Sequence, residues 1–359
     1  MSASDHESRH HTLQEAISLH PFPDLPFIPE YRSARQLHLD GQRHLLPQPE
    51  PTPSVTEDDI FIKARDGYDI RTKCYRPASS VTESLNNSHG GKQRPLIVLF
   101  HEGGWVMGNS TDEDSNARTF AKELGAVCLN PEYRLAPENP FPTGVLDCWD
   151  VLKWAAANAD QLGVDLAKGF IVGGSSAGSN IAAVLAHRAA REKLNPPLTG
   201  QWLCVPYLLP PELVPSKYQE RYSSMWANRS DPVLGPLLDG PETMKTSGFI
   251  HDLVKADVLS PLFSPFADEW YPPRDDQDTT PAHRTLIPKA FFQVAGLDPL
   301  RDHGLIYRTA LEEEWKVETR LNIYEGFGHM FWTNWPQLER SRDYWKDMVE
   351  GIRWLLKGQ

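Results

Sequence analysis

Three residues far apart in the chain have the types and settings for nucleophilic acyl chemistry. Ser176 is the middle residue of Gly174-Ser175-Ser176-Ala177-Gly178, which follows the apolar run Phe170-Ile171-Val172 and opens a stretch of helical character. The small residues let the chain turn sharply from strand to helix, so that Ser176, not Ser175, projects above the sheet. A serine hydroxyl is a poor nucleophile at neutral pH. It needs a base to take its proton, and the base needs a carboxylate to orient it. His329, in Gly326-Phe327-Gly328-His329-Met330-Phe331, follows the last expected strand; of the 13 histidines it is singled out by that glycine-flanked setting. Asp298, in Asp298-Pro299-Leu300-Arg301-Asp302, follows the strand before it. Asp298 lies nearer the strand end and is favoured as the orienting acid. Asp302 is assigned to a helix N-terminus, where a negative charge favours the dipole.

Such chemistry also needs donors for a developing oxyanion. His101-Glu102-Gly103-Gly104-Trp105 follows the apolar run Leu96 to Phe100. Glycines there let backbone N–H groups approach a substrate with no Cβ in the way. Gly103 and Gly104 are the expected donors, with Ala177 a third. Trp105 and Phe331, with a few aromatics from residues 206–288, are expected to line an apolar substrate site.

The elements around these residues must form a parallel sheet. Ile60 to Ile62 and Ile70 to Tyr75 read as strands joined at Asp66-Gly67. The run Leu96 to Phe100 suits a strand buried on both faces. Strands at Ala126 to Leu129, Gly169 to Val172, Trp202 to Val205, Ala290 to Ala295 and Thr319 to Tyr324 then alternate with helical stretches. Those are expected at Ser115 to Leu124, Val145 to Ala159, Ser176 to Lys193, Leu305 to Trp315 and Pro336 to Leu356. This alternation predicts an α/β fold with a mostly parallel sheet and helices on both faces. Residues 1–55, rich in Pro, His and charge, read as an arm with one short helix near Leu13 to Leu19. Residues 56–205 and 289–359 form the two parts of the core. The proline-rich stretch 206–288 shows no clear strand and is expected, with the arm, to cap the crevice at the carboxyl edge of the sheet. Ser79 to Gln93 reads as a polar surface loop.

Composition excludes several function classes. The 36 bases and 48 acids of the 359 residues leave a net charge of −12, which argues against binding nucleic acid or anionic lipid. The N-terminus lacks an apolar signal segment and no apolar run is long enough to span a membrane, so a cytoplasmic location is expected. Cys74, Cys128, Cys148 and Cys204 have no metal-ligand spacing and read as buried thiols. No metal or organic cofactor is expected.

Taken together, the motifs resemble the hormone-sensitive-lipase-like branch of the α/β-hydrolases, the carboxylesterases of the hydrolase fold 3 type. His101 to Trp105 stands where that family has His-Gly-Gly-Gly-Trp/Phe, and Tyr133-Arg134-Leu135-Ala136-Pro137-Glu138 with Phe141-Pro142 matches a second run. Gly173 to Asn180, Asp298 to Asp302 and Gly328 to Phe331 match three more, and the resemblance spans Ile60 to Leu356. It implies an α/β-hydrolase with a cap and hydrolysis of a small to medium, largely apolar carboxylic ester through a serine acyl-enzyme. It also implies an oxyanion hole at Gly103, Gly104 and Ala177. Related esterases commonly dimerise, which extends that option to this chain. Two alternatives stay open: acyl transfer, lactone or thioester chemistry in secondary metabolism, and ligand binding without catalysis. Arg134 and Glu138 are read as structural. One residue departs from the pattern: Glu102 replaces the first glycine of the triplet. Either it faces outward or pairs with a base, or it contacts a polar substrate group or moves a proton.

Overall fold

The structure is a computed structural model, and it describes residues 13–18, 30–46, 52, 54–78, 94–235, 238, 249–267 and 287–357. Ser79 to Gln93 lies outside the described residues, as does part of 206–288.

Eight strands form one sheet: β1 (Val55–Lys63), β2 (Asp69–Pro77), β3 (Leu96–Phe100), β4 (Val127–Pro131), β5 (Phe170–Ser175), β6 (Gly200–Cys204), β7 (Lys289–Ala295) and β8 (Thr319–Tyr324). Their order across the sheet is β1-β2-β4-β3-β5-β6-β7-β8. β1, β2 and β4 pair antiparallel, and every pair from β4 across to β8 is parallel. The hairpin between β1 and β2 turns at Gly67, whose φ of +88° suits a residue without Cβ. β1 is an edge strand, and ion pairs Arg71–Asp59 and Lys63–Asp69 lie along the hairpin. Charge on an edge strand discourages pairing with another chain.

Strand sequence decides which face each side chain serves. In β3, Leu96, Val98 and Phe100 join one apolar cluster, while Ile97 and Leu99 join the other. All five are fully buried, as expected of a strand covered on both faces. Six longer helices accompany the sheet: α1 (Glu30–Gln42), α2 (Asp114–Leu124), α3 (Thr143–Ala157), α4 (Ala177–Arg191), α5 (Arg301–Glu313) and α6 (Glu339–Leu356). α3, α4 and α5 contribute to the first cluster, and α2 and α6 to the second. The chain therefore leaves β3 toward one face and β5 toward the other. These two strands are neighbours, and the divergence opens a crevice at their carboxyl ends.

α1 is not foreseen in the sequence, and α6 begins at Glu339 rather than Pro336, after a separate turn of helix at Phe331–Asn334. The helix at 13–18 is present, with Leu13 and Ala16 buried. All four cysteines are free and buried. Among the described residues, no helix is long and apolar enough to cross a membrane.

The stretch after β6 is tied to the core by polar groups. Asn180, in α4, donates to the carbonyls of Tyr207 and Phe263 at 2.7 and 2.6 Å. His303 Nδ1 accepts the N–H groups of Leu208 and Leu209 at 3.1 and 3.0 Å. Arg134 forks onto Asp147 and also reaches Asp66 at 2.7 Å, tying the loop after β4 to α3 and to the β1–β2 turn.

Candidate active site

Ser176 sits between β5 and α4 with φ +53° and ψ −116°, a conformation that a residue with a Cβ rarely adopts. The surrounding glycines make it attainable. A Cβ at Gly174 would stand 2.2 Å from the Phe100 carbonyl oxygen, and one at Gly178 only 1.8 Å from it. The turn thus presses against the end of β3, and the Ser176 N–H is held by the Cys204 carbonyl at 2.9 Å.

His329 lies in the loop after β8. Its Nε2 is 3.0 Å from the Ser176 hydroxyl oxygen, and its Nδ1 is 2.7 Å from Asp298 Oδ2. An ionised carboxylate only accepts, so Nδ1 carries the proton and Nε2 is left to accept from the serine hydroxyl. Asp298, fully buried after β7, also accepts the Leu300 N–H at 2.7 Å through Oδ1. Burial pulls the His329 pKa down, but the charge and hydrogen bond of Asp298, with the charges of Asp231 and Glu102, outweigh it and leave the imidazole above its ordinary value.

The loop after β3 brings Gly103 (φ +118°) and Gly104 (φ +61°) to the same edge. Among the described residues no backbone carbonyl takes the N–H of either. Ala177 is the first residue of α4, where an N–H has no acceptor within the helix. His101 braces this loop: its Nδ1 lies 2.7 Å from the Glu102 carbonyl, and its ring stacks on Tyr133 at 4.1 Å.

Two expected substrate contacts part company. Trp105 is buried against Tyr207 and Phe263, at centroid distances of 5.7 and 5.1 Å, and lines a small cavity with Phe141 and Val254. Met330, at φ +54°, turns the chain so that the Phe331 ring is fully buried among Tyr324, Phe327, Trp332 and Tyr344. Asp302 stands in the first turn of α5 as expected, but its carboxylate also accepts the N–H groups of Ser223 and Ser224, each at 2.7 Å.

Glu102 does not face outward; it is 4% exposed. Its electrostatic neighbour is a second acid, Glu113, itself 1% exposed and hydrogen-bonded to Asn116. Burial, and then the Glu102 charge, push the Glu113 carboxyl well above its ordinary value. A raised carboxyl in the folded chain stabilises fully below the unfolded value of 4.5, and that contribution is lost as pH rises toward the folded one. The wild-type melting temperature is therefore expected to fall more between pH 5 and pH 9 than that of Glu113→Gln, as read by thermal denaturation. Parallel curves would contradict the assignment.

Sequence reasoning missed Asp231. It lies in the stretch after β6, and its Oδ2 accepts the backbone N–H of His329 at 2.7 Å. Asp231-Pro232 is readable as a turn. Nothing local points across to His329.

Comparison with known proteins agrees with the fold. The model of the hydrolase fold 3 family, described as an alpha/beta hydrolase fold, matches residues 97–333. The chain belongs to this family. It is 35% identical over 312 residues to an AB hydrolase superfamily protein of Schizosaccharomyces pombe, covering 87% of this chain and 82% of that one. It is 31% identical over 288 residues to the esterase LipI of Mycobacterium tuberculosis, covering 79% of each. Among solved structures, vibralactone cyclase superposes with a TM-score of 0.80 at 29% identity, over 95% of this chain and 93% of the other. The hydrolase fold 3 assignment thus spans β3, β5, β7 and β8, the strands whose ends carry the residues described above.

Proposed function

We propose that the protein hydrolyses a small to medium, largely apolar carboxylic ester through an acyl-enzyme on Ser176. The observation that carries this reading is the continuous relay from Ser176 through His329 to Asp298, with hydrogen bonds of 3.0 and 2.7 Å. Ser176 Oγ attacks the ester carbonyl while its proton passes to His329 Nε2. Asp298 holds the ring and favours the imidazolium. The N–H groups of Gly103, Gly104 and Ala177 receive the negative oxygen of the tetrahedral intermediate. His329 then gives its proton to the leaving alcohol. A water molecule, deprotonated by His329, releases the acid and restores Ser176.

In this reading residues 206–288 act with the N-terminal arm as the cap, and Trp105 with Tyr207 and Phe263 supplies apolar wall. Turnover of a short p-nitrophenyl ester, with release of the free acid, tests the proposal. The pH profile gives a second readout. The base must be unprotonated, and its pKa lies above the ordinary 6.5. kcat/KM is therefore expected to rise with pH through a midpoint above 6.5 and to fall away on acidification. A profile flat down to pH 5 would remove His329 as the base.

The similarity to vibralactone cyclase favours a second reading. There a hydroxyl within the acyl chain replaces water, attacks the Ser176 ester and closes a lactone. Ser176 Oγ departs with the proton that His329 took from that hydroxyl. Mass analysis separates the two, since only hydrolysis consumes water and yields a free acid.

A further inference from the structure

Asp231 is a buried carboxylate, 6% exposed, and among the described residues it makes no ion pair with lysine or arginine. It accepts three backbone N–H groups: His329 at 2.7 Å through Oδ2, and Val233 and Leu234 at 2.9 and 2.8 Å through Oδ1. Gly328 leaves room for it, since a Cβ there would stand 2.1 Å from Oδ2. Nearby, Asn228 donates to the Asp298 carbonyl at 3.0 Å, and Ser224 to the Pro299 carbonyl at 2.8 Å. The stretch from Ser223 to Leu234 thus grips the loop carrying Asp298 and the loop carrying His329 together.

A turn needs only an oxygen acceptor, which a neutral asparagine or serine side chain offers. A buried carboxylate is costly unless something compensates its charge. The three N–H groups meet part of that cost; a full opposing charge arises beside it when His329 becomes an imidazolium, which on the acyl-enzyme reading is the state formed as Ser176 attacks.

We propose that Asp231 is a second acidic positioning residue for His329, fixing the histidine loop through its backbone and adding its charge to that of Asp298 in favour of the protonated ring. The inference rests on the acyl-enzyme reading for its catalytic meaning. Other properties agree. Burial, and then the Asp298 charge, push the Asp231 carboxyl up to about 6, while the charge of His329 and the N–H groups of Leu234 and His329 oppose that rise. The groups that act on His329 are Asp298 from the loop after β7, Asp231 from the stretch after β6 and Glu102 from the loop after β3. The Asp231 charge is therefore present at neutral pH and fades as pH drops through about 6.

The test is titration of His329 by proton NMR, following its Nδ1–H resonance, in wild type, Asp231→Asn and Gly328→Ala. Asp231→Asn is expected to lower the midpoint by about one unit, equivalent to about tenfold weaker support of the imidazolium, and to move the acid limb of kcat/KM by the same amount. Gly328→Ala, which displaces the carboxylate from the other side, should lower it in the same sense. An unmoved midpoint in a protein that still melts cooperatively overturns the proposal. So does a loss of kcat/KM without any shift, which would mark Asp231 as purely structural. The NMR measurement needs no turnover. If wild type shows no Ser176-dependent ester cleavage, the acyl-enzyme reading fails on its own and the titration still decides the role of Asp231.

Discussion

Ser176→Ala is expected to lower kcat on a short p-nitrophenyl ester by about 10⁴- to 10⁶-fold, while KM and the melting temperature stay close to wild type. The size of the effect follows from what the hydroxyl does. On the acyl-enzyme reading it is the atom that forms and breaks the acyl bond, and its loss would leave only binding and the oxyanion donors to speed attack by water. Stability should hold because the strained φ of +53° is set by Gly174, Gly178 and the Ser176 N–H bond to Cys204, none of which the substitution touches. Alanine tolerates that conformation no better than serine, and no worse. Mass spectrometry after treatment with a phosphonate ester supplies the second check, because wild type should gain one adduct on Ser176 and the variant none. Wild-type kcat in the alanine variant would end the acyl-enzyme account.

The next largest effect separates two buried aspartates four residues apart. Asp298→Asn is expected to cost roughly 10⁴-fold in kcat, because an amide can present its NH₂ to the ring and stabilise the wrong tautomer. Asp302→Asn is expected to act on stability instead. The Asp302 carboxylate holds the N–H groups of Ser223 and Ser224 and pairs with Arg301 at 2.8 Å, whereas Asp298 touches the His329 ring. Losing a charged acceptor for two N–H donors, of which that of Ser224 is buried, costs about 1–3 kcal/mol. Steady-state kinetics and thermal melts on both variants read the contrast. Equal losses of kcat would place both acids in the relay.

Much of this site was legible because a parallel sheet sends all its strands out at one edge. Ser176, Asp298 and His329 could each be placed after a strand by the alternation of strands and helices, and the strands at Leu96–Phe100 and Thr319–Tyr324 begin and end where that pattern puts them. What escaped depends on the path of the chain between elements. α1 offers few apolar residues and leaves Leu37 75% exposed, so its hydrophobic pattern is weak. The burial of the Phe331 ring among other aromatics depends on Met330, whose left-handed backbone no apolar pattern signals. Glu102 was weighed as an isolated departure, whereas its neighbour Glu113 is brought close only by the fold of the loop after β3. Asp231 meets His329 across nearly a hundred residues of sequence, a separation of 98.

The grip of Ser223 to Leu234 on both loops couples the placement of His329 to that of Asp298. Were this stretch to swing away as a unit, the Asp302, Asn228 and Asp231 contacts would part together, and the loops carrying His329 and Asp298 would each lose an anchor. On the acyl-enzyme reading, that coupling would keep the base aligned for as long as the stretch stays docked.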